Sequence, residues 1–480
     1  MTEIFARKEE QAELRRVYNS GKAEFVVVYG RRRVGKTFLI REFFRDDLTF
    51  YHTALSPTDL EPQRLNDQQI QNFCSSLIRY GMDLPNRPQN WFEAFDLLIQ
   101  FLEQEPKDKR MVVFLDELPW LDIPRSGFLS AFEHFWNGWG AGQKKLMLIV
   151  CGSAASWVAD KLLNNHGGLY GRTTHEIHLA PFTLQETEQY LLSQNVVYDR
   201  YDILQAYMIF GGIPYYLSYL ESDKSLAQCV DKLFFHANGR LRFEMQKMYS
   251  SVFLDADKYL RLVRFLSTRR EGYTRLQIAQ NTEFTSGGGL TTMLNVLEQS
   301  DFIDSYVNYQ HSSREVYYCL TDMFSLFVMR FVEGAPKQSN FWQENLLSPS
   351  LNAWRGFAFE QVCFIHRQQI KRALGIAGVR AEICPWRSKN PDNKAQIDML
   401  IVRADRIVNI CEMKFSINTF TIDKQYDEQL REKVQTFQTE TRCKYGLHLT
   451  MITTFGITEN AYAYHVQQSL TMDDLFTEAL

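Results

Sequence analysis

The amino-acid sequence predicts an α/β protein built on a parallel sheet, with further helical and α/β domains behind it. Continuous apolar segments of strand length alternate with helical segments: FVVVY at 25–29, MVVFL at 111–115 and LMLIVC at 146–151. Such segments are typical of a parallel sheet covered on both faces. A glycine-rich segment directly follows the first of them. The length of 480 residues corresponds to roughly two to four domains.

Composition restricts the class of protein. Hydrophobic residues make up 45% of the chain and aromatic residues 14%, so a disordered chain is excluded. The 53 Lys and Arg residues against 57 Asp and Glu residues leave a net charge of −4, so any nucleic-acid binding must come from local patches. The eight cysteines form no C-x-x-C pair, which predicts reduced core residues rather than a zinc site.

The N-terminus and the apolar runs indicate a cytoplasmic protein. The segment MTEIFARKEEQAELRR is charged and helical, unlike a signal peptide with its apolar centre. No apolar run approaches the length of about 20 residues that a bilayer-spanning helix requires. We therefore expect a cytoplasmic location and no membrane contact.

The first domain is predicted to cover residues 1–180. An amphipathic helix at 3–20 precedes the strand at 25–29, and Gly21 ends that helix. The glycine-rich segment then leads into the apolar helix FLIREFF. The order strand, loop and helix is that of a phosphate-binding unit.

A helical lid over 181–250 and a winged helix over 251–335 are predicted next. Thr183 and Glu186 have the spacing of a capping box, which starts a helix. Three helical patterns and two β-like runs then form the pattern of a winged helix: 257–268, 274–281, 287–299, 302–309 and 315–320.

The last domain is predicted to cover residues 336–480. A polar stretch around 335–340 marks its start. The segment 354–374 reads as one helix, and strands at 397–403 and 407–414 flank a short turn. This pattern predicts a second α/β fold.

The glycine-rich segment matches the pattern G-x-x-x-x-G-K-[ST] at every specified position: Gly30, Arg31, Arg32, Arg33, Val34, Gly35, Lys36 and Thr37. Glycines let consecutive backbone N–H groups turn toward a β-phosphate, and the following helix adds the positive end of its dipole. Lys36 would contact the β- and γ-phosphate oxygens, and Thr37 would hold Mg²⁺. We therefore expect ATP and Mg²⁺ as cofactors.

Two carboxylates at the end of an apolar strand complete this site. Asp116 and Glu117 follow the strand at 111–115. We expect Asp116 to hold Mg²⁺ through its water shell and Glu117 to orient or deprotonate the attacking water.

Ser153 and Arg172 are two weaker candidates. Ser153 ends the strand at 146–151 in the position of a sensor of the γ-phosphate, and Arg172 has the character of a finger or sensor arginine, acting in cis or in trans. A structural role is the alternative for each, because a lone serine or arginine is weak evidence.

Five motifs together resemble the archaeal-type P-loop ATPase family: GRRRVGKT at 30–37, FLDELPW at 114–120, CGS at 151–153, LYGR at 169–172 and GGIPYYL at 211–217. The family belongs to the additional-strand ATPases, related to the AAA and STAND classes, and the chain resembles its Bacteroidetes members. The resemblance implies a P-loop NTPase sheet with a helical lid, a winged helix and a C-terminal nuclease-like domain. Gly212-Ile213-Pro214 is similar to the motif by which STAND-type ATPases couple nucleotide state to the lid.

Charge weighs against strong DNA binding by the winged helix. Residues 251–335 contain eight basic and ten acidic residues, a net charge of 8 − 10 = −2. Phosphate contacts supply much of the affinity of DNA-binding modules. The helix that starts near Ser286 either binds DNA or has a structural role between domains.

Two carboxylates and a lysine are predicted to converge in the last domain. If the hairpin turns about Asp405, then Asp398 and Glu412 lie opposite each other, and Lys414 shares a face with Glu412. Such a set can hold Mg²⁺ and position a water for attack on a phosphodiester. Glu360, on the preceding helix, is a further candidate metal ligand. The alternative is an ion pair at a hairpin end.

This helix and hairpin resemble the PD-(D/E)XK nuclease core, the restriction-endonuclease-like fold. The resemblance implies metal binding by Asp398 and Glu412 and electrostatic catalysis by Lys414. Ile397 stands where that signature has proline. Residues 361–394 contain seven basic and two acidic residues, a net charge of +5, which suits a nucleic-acid backbone.

These observations predict a Mg-ATP-dependent ATPase that switches or positions a nuclease-like domain acting on nucleic acid, most simply DNA. Two alternatives remain open. One is a non-nucleolytic DNA-binding regulator with a degenerate nuclease domain, and the other is a STAND-like scaffold that assembles with a protein partner. A homo-oligomer is compatible with each of them.

Overall fold

The computed structural model describes the chain except residues 1–3, 57–60, 85, 107, 154, 164–167, 170, 254, 286, 313, 335–337, 391–394 and 479–480. The chain divides into two compact units. The first consists of Met1–Pro181 with Gln299–Asp301, and the second of Phe182–Glu298 with Phe302–Leu480. The predicted boundary between 335 and 336, and Ser286, lie outside the described residues.

The first unit is an α/β fold around one parallel sheet. Its strands are β1 Glu24–Tyr29, β2 Leu48–Thr53, β3 Met111–Asp116, β4 Leu146–Gly152 and β5 His175–His178. Its helices are α1 Lys8–Tyr18, α2 Lys36–Phe43, α3 Pro62–Arg79, α4 Trp91–Leu102, α5 Phe128–Gly138 and α6 Ala155–Val158. The strand order is β2-β3-β4-β1-β5, and all neighbours are parallel. This five-stranded parallel sheet is typical of P-loop NTPases and confirms the predicted α/β class.

The central strands of this sheet are buried on both faces. Every residue of β3 and β4 is buried, which is why their sequences read as continuous apolar runs. Aromatic side chains of α4 and α5 pack on one face, with Phe95 and Phe132 among them. Strands β2 and β5 have no apolar run that predicts them, because these edge strands carry polar residues, LTFYHT and HEIH.

The second unit begins with helices and ends in a mixed sheet. Its helices are α7 Leu184–Ser193, α8 Arg200–Phe210, α9 Pro214–Leu217, α10 Leu226–Val230, α11 Glu244–Val252, α12 Ala256–Ser267, α13 Arg275–Asn281, α14 Gly288–Gln299, α15 Met323–Phe327, α16 Phe341–Glu344, α17 Pro349–Ile365, α18 Arg367–Ala373, α19 Lys424–Thr441 and α20 Met472–Leu475. Its strands are β6 Tyr273–Thr274, β7 Ile303–Val307, β8 Val316–Leu320, β9 Ala381–Arg387, β10 Gln396–Arg403, β11 Ile407–Lys414, β12 Gly446–Thr453 and β13 Gln468–Leu470.

The helical part starts as the sequence predicts. Thr183 accepts a hydrogen bond from the backbone N–H of Glu186, whose side chain accepts one in return from Thr183, so the predicted capping box forms. Farther along, α12, α13 and α14 are the three predicted helices. They accompany a small antiparallel sheet of order β6-β8-β7.

The second sheet has the order β13-β12-β11-β10-β9. Strands β9, β10 and β11 are antiparallel, and β12 and β13 continue in parallel. In the hairpin of β10 and β11, Met399 pairs with Cys411 and Val402 pairs with Val408. This register centres the hairpin on Asp405, as predicted.

The prediction of one helix over 354–374 is wrong. Helix α17 begins at Pro349, where Ser348 caps it, and ends at Ile365. Helix α18 begins at Arg367, so His366 separates the two helices. The imidazole of His366 accepts a hydrogen bond from the backbone N–H of Leu184 at 2.9 Å. This tertiary contact explains a break that the local helical pattern does not show.

The cysteines are free thiols, buried except for the half-buried Cys443, which agrees with the prediction of reduced core residues. Among the described helices, none has the length and apolar character needed to span a membrane.

Candidate functional site

The loop between β1 and α2 has the backbone of a phosphate-binding loop. Gly30, Arg33 and Gly35 all have positive φ angles, of 138°, 74° and 95°. A Cβ on Gly30 would lie 2.4 Å from the backbone oxygen of Leu179, so only glycine fits there. The loop therefore turns sharply from the sheet into the N-terminus of α2, where backbone N–H groups bind anions.

Lys36 lies at the start of α2 with its ammonium folded over this loop. Its Nζ donates to the carbonyl oxygens of Gly30 at 2.9 Å and Arg31 at 3.0 Å. Burial lowers the pKa of Lys36, and the negative charge of Glu117 partly offsets this effect. A phosphate beside the loop would add a stronger counter-charge to this buried ammonium.

Thr37 and Asp116 join the two halves of the site. The hydroxyl of Thr37 donates to the carboxylate of Asp116, with 3.1 and 3.0 Å to its two oxygens. The hydroxyl of Tyr51 also donates to Asp116, at 3.3 Å, and burial raises the pKa of Tyr51 to about 12. The thiol of Cys151 donates to the same carboxylate, and burial raises its pKa well above the ordinary value.

The donor set of Thr37 and Asp116 fits Mg²⁺. Both side chains offer oxygen atoms, and Mg²⁺ is usually held by one or two protein oxygens while waters and substrate phosphates fill its other positions. The Thr37 hydroxyl lies within hydrogen-bond distance of the Asp116 carboxylate, so the two groups lie close enough to act on one ion. The sequence did not predict Tyr51 or Cys151 as residues of this site. Tyr51 lies in no recognised motif, and the CGS motif indicates a role for Ser153 rather than for Cys151.

Glu117 and Ser153 form the second polar pair of the site. Glu117 has a left-handed backbone, with φ 52°. Its carboxylate accepts hydrogen bonds from the Ser153 hydroxyl at 3.0 and 2.9 Å and from the Ser153 backbone N–H at 3.1 Å. A Cβ on Gly152 would lie 2.6 Å from Pro119, so the CGS and DELPW segments pack in direct contact.

Arg172 lies in an exposed turn of the first unit. Its backbone N–H donates to the carbonyl of Leu169 at 3.0 Å, and its side chain is exposed. Among the hydrogen bonds and ion pairs of the described residues, none joins its side chain to Glu117 or Ser153. The structure thus brings Ser153 to the carboxylates, whereas Arg172 is not brought to them.

A second polar cluster surrounds Glu412 in the second unit. The β10 and β11 register places Asp398 opposite Glu412, and both side chains are buried. Lys414 contacts Glu412 at 3.1 Å. Lys433, on α19, contacts its two oxygens at 2.9 and 2.8 Å. The hydroxyl of Tyr426 donates to the same carboxylate at 3.0 Å.

These cations control the charge of Glu412. Burial raises the pKa of this carboxyl, but Lys433 and Lys414 together more than offset burial, so the pKa lies below its ordinary value. For Lys414, burial lowers the pKa, and Glu412 reverses that shift, so the pKa is raised. Sequence reasoning identified Lys414 and missed Lys433 and Tyr426. Their signal lies in the helix after the hairpin, where residues 426 and 433 share one face.

Glu360 and Asp398 share a third cation, Arg270. The guanidinium contacts Glu360 at 2.7 Å and Asp398 at 3.3 Å. Burial and the charge of Asp398 raise the pKa of Glu360 to about 8. Burial and the charge of Glu412 raise the pKa of Asp398. Glu360 and Asp398 thus contact the same guanidinium, and a metal contact of Glu360 stays a prediction.

The carboxylate cluster offers oxygen donors of the kind that Mg²⁺ prefers, and one or two of them suffice for that ion. Within the part of the chain that the structure describes, no group of three or more His, Cys, Asp or Glu side chains is arranged to hold a metal. Glu360, Asp398 and Glu412 therefore do not form a three-carboxylate cage.

The predicted basic surfaces are partly neutralised. In residues 251–335, five basic side chains pair with carboxylates: Lys258, Arg261, Arg264, Arg269 and Arg270. In the segment 361–394, Lys371 is buried and Arg387 pairs with Glu271, and Lys394 lies outside the described residues. These contacts reduce the charge left for a nucleic-acid backbone.

Comparisons with known proteins found similarity that includes the part of the chain that carries the first site. Residues 4–220 match a family described as an ATPase domain predominantly from Archaea. The uncharacterized protein MJECL04 of Methanocaldococcus jannaschii is 24% identical over 365 residues, covering 74% of this chain and 75% of that protein. The uncharacterized protein MJ0424 of the same organism is 40% identical over 93 residues, covering 18% of this chain and 86% of that protein.

Among solved structures, the Walker-type ATPase PABY2304 of Pyrococcus abyssi is similar, with a TM-score of 0.46 and 18% identity. The similarity covers 68% of this chain and 96% of that one. Cdc6p of Pyrobaculum aerophilum has a TM-score of 0.32 and 15% identity over 68% of this chain and 94% of its own. The resemblance of this chain to the Bacteroidetes members of the family stays a prediction.

Proposed function

Because the chain belongs, through residues 4–220, to the family of ATPase domains found predominantly in Archaea, we propose that it binds and hydrolyses Mg-ATP to switch or position a nuclease-like C-terminal domain on nucleic acid. DNA is the expected nucleic acid. The proposal divides the chain into an ATPase core at 1–180, a helical lid at 181–250, a winged helix at 251–335 and the nuclease-like domain at 336–480.

One observation carries the ATPase part of the proposal: two motifs about 80 residues apart meet through the hydrogen bonds of Thr37 to Asp116. These two residues would hold Mg²⁺, which when bound neutralises charge on the β- and γ-phosphates. Lys36, whose ammonium contacts the carbonyl oxygens of the loop, would bind the same phosphates. Arg31, Arg32, Arg33 and Val34 space the two glycines so that the loop backbone can turn its N–H groups toward the anion.

Glu117 acts on the attacking water. Its carboxylate is oriented by two donors of Ser153, which leaves the carboxylate fixed at the end of β3. A fixed carboxylate beside the phosphates orients the water and accepts its proton. Ser153 positions Glu117, and Arg172 stabilises transition-state charge if it reaches a nucleotide.

The nuclease part of the proposal is supported by the hairpin register and the lysine beside it. Asp398 and Glu412 would hold a divalent ion, with Glu360 as a further ligand, and the ion when bound activates a water and neutralises a phosphodiester. Lys414, half-exposed beside Glu412, would stabilise the negative charge that develops on the phosphate.

The ion pairs of the cluster favour a second candidate function. Each carboxylate already has a protein cation, Arg270, Lys414 or Lys433. A cluster compensated in this way also fits a degenerate domain in a non-nucleolytic regulator or a STAND-like scaffold. These candidates differ in one activity, metal-dependent cleavage.

Cleavage of labelled single- and double-stranded DNA and RNA with Mg²⁺ or Mn²⁺, with and without ATP, tests the proposal. We expect cleavage of at least one substrate, dependent on the divalent ion and altered by ATP. The matched control is Asp405→Ala, at the exposed hairpin turn, which should cleave like the wild type, whereas Asp398→Ala should not. Absence of cleavage from the whole panel, with ATP turnover intact, would favour the second candidate.

A further inference from the structure

Arg270 lies on the carboxylate cluster although it belongs to a different part of the chain. It follows α12, about 90 residues before Glu360 and about 130 before Asp398. Its Nη1 atom is 2.7 Å from Glu360, and its Nη2 atom is 3.3 Å from Asp398. The guanidinium carbon lies 5.3 Å from the centre of the Phe357 ring, on α17. One guanidinium thus bridges the buried carboxylate of Asp398 and the partly buried carboxylate of Glu360.

Every carboxylate of the cluster has a cationic partner. Glu412 has Lys414 and Lys433 as partners, and Arg270 is the cation of the pair formed by Glu360 and Asp398. The oxygens that a divalent ion approaching Asp398 needs are therefore engaged by the guanidinium, whose positive charge also repels the ion. Without Arg270, Glu360 and Asp398 would lose the cation that bridges them.

The backbone around Arg270 is held by contacts that do not involve its side chain. Glu271 pairs with Arg387 of β9, and the Tyr306 hydroxyl donates to the Glu271 carbonyl at 2.6 Å. Gly272 has φ +68°, and a Cβ there would lie 2.0 Å from the Tyr318 carbonyl oxygen. The fold itself therefore directs Arg270 to the carboxylates, and truncating its side chain leaves these contacts in place.

We propose that Arg270 is an internal competitor of the divalent cation: its guanidinium takes the place of the ion between Glu360 and Asp398 and keeps the site closed until it is displaced. The inference rests on the proposed nuclease function. It also explains how each carboxylate of the cluster can have a cationic partner and the cluster can still be a metal site.

The side chain of Arg270 can be drawn away by substrate. It is 24% exposed, so it has a path to solvent, and guanidinium groups bind phosphates in the same bidentate manner as carboxylates. A nucleic-acid phosphate at the cluster would therefore compete for Arg270 and release Asp398 and Glu360. Metal and nucleic acid should then bind with positive coupling, and the coupling must be equal in both directions.

Calorimetric titration of the full-length protein with MnCl₂, in the absence of nucleic acid, tests the competitor role. We expect Arg270→Ala to bind Mn²⁺ at least about tenfold more tightly than the wild type, because a competing charge is removed. The matched control is Arg269→Ala, which removes the neighbouring guanidinium, paired with Glu271 rather than with the cluster. Its Mn²⁺ affinity should equal that of the wild type.

A second pair of variants locates the effect. Arg270→Ala combined with Asp398→Ala should lose the tight Mn²⁺ binding, because a ligand is removed with the competitor. Arg270→Gln keeps a hydrogen-bond donor for Glu360 without the charge, and it should also bind Mn²⁺ more tightly than the wild type. This variant keeps the test available if Arg270→Ala unfolds, which thermal melting of each variant would reveal.

The outcomes separate the inference from the function on which it rests. If wild type and Arg270→Ala bind Mn²⁺ with equal affinity, and Asp398→Ala abolishes that binding, the competitor role is wrong and the metal site stands. If neither protein binds Mn²⁺, even with oligonucleotide present, both the metal site and the competitor role are wrong. Stronger coupling between Mn²⁺ and oligonucleotide in the wild type than in Arg270→Ala would support the competitor role.

Discussion

Two neighbouring carboxylates of the candidate nucleotide site, Asp116 and Glu117, have different hydrogen-bond partners. Asp116 ends β3 and accepts hydrogen bonds from Thr37, Tyr51 and Cys151. Glu117, one residue later, has left-handed backbone and turns its carboxylate to Ser153 instead. In the proposed function, the change of backbone region at Glu117 separates the carboxylate that would hold the metal ion from the one that would orient the water.

Lys36 and Glu117 should therefore fail in different ways when replaced. We expect Lys36→Ala to lose roughly 10- to 100-fold in ATP affinity, the effect of removing a charged hydrogen bond to phosphate. Glu117→Gln should keep ATP affinity and lose about 10²- to 10⁴-fold in hydrolysis, because an amide accepts no proton. Binding of labelled ATP and release of phosphate measure the two effects.

Lys22 supplies the control for charge, because it is an exposed lysine in the same unit. Lys22→Ala should bind and hydrolyse ATP like the wild type. Turnover at the wild-type rate by Lys36→Ala would contradict the assignment of the phosphate site.

Motif residues were predictable one by one, but their additional partners were not. Lys36, Thr37, Asp116 and Glu117 follow from patterns whose spacing is imposed by phosphate and Mg²⁺. Tyr51 and Cys151 reach Asp116 from neighbouring strands, and no local pattern records which strands are neighbours. Arg270 was not predicted either, because its partners lie about 90 and 130 residues farther along the chain and no local pattern records such contacts.

At the scale of elements, apolar periodicity predicted what is buried and missed what lies at an edge. The three fully or largely buried strands of the first sheet read as apolar runs, whereas β2 and β5 are edge strands with polar residues. In the second sheet, β10 and β11 were predicted with the correct register, and β9, β12 and β13 were not. The break at His366 was missed because a tertiary hydrogen bond, rather than a glycine or a proline, accompanies it.

His366 should make the stability of the second unit depend on pH. Burial lowers the pKa of this imidazole from 6.5 to about 4, although the hydrogen bond of its Nδ1 to the carbonyl of Val362, at 2.8 Å, acts in the opposite direction. Its Nε2 accepts a hydrogen bond from the backbone N–H of Leu184, which a protonated ring nitrogen cannot do. Between pH 4 and 6.5 the unfolded chain therefore binds more protons than the folded one. The contribution of His366 to the free energy of unfolding is fully present above pH 6.5. It is lost as the pH drops toward 4, a loss of about 3 kcal/mol in total.

The variant His366→Gln removes this titration. We expect the wild-type Tm to fall between pH 7.5 and pH 5 by more than the Tm of His366→Gln, and the exposed control His236→Gln to behave like the wild type. Equal pH dependence of the Tm in wild type and His366→Gln would show that His366 is not the titrating group.

At the scale of the whole molecule, the two polar sites belong to different compact units. Lys36, Asp116 and Glu117 lie in the first unit, and Asp398, Glu412 and Lys414 lie in the second. Each site forms its hydrogen bonds within its own unit. The chemistry at one site is therefore expected to survive damage to the other, even if nucleotide state regulates cleavage.

ATP turnover and metal-dependent cleavage should consequently be separable by single substitutions. Asp398→Ala should lose Mn²⁺ binding and cleavage together, because it removes a ligand. Lys414→Ala should keep Mn²⁺ binding and lose about 10²- to 10³-fold in cleavage rate, because an ammonium stabilises charge on the phosphate rather than the ion. Both variants should hydrolyse ATP at the basal rate of the wild type.

Metal binding, cleavage and phosphate release should be measured on the same preparations. The control for Lys414→Ala is Lys424→Ala, since Lys424 is an exposed lysine at the start of α19. A loss of nucleic-acid stimulation of the ATPase in Asp398→Ala is compatible with coupling, since coupling requires an intact second site. Loss of basal ATP turnover in both Asp398→Ala and Lys414→Ala, with unchanged Tm, would contradict separate sites. If Lys414→Ala instead loses both cleavage and Mn²⁺ binding, the role of this lysine is to hold Glu412 in place. Its 3.1 Å contact with Glu412 is compatible with that role, as is the contact of Lys433 with the same carboxylate.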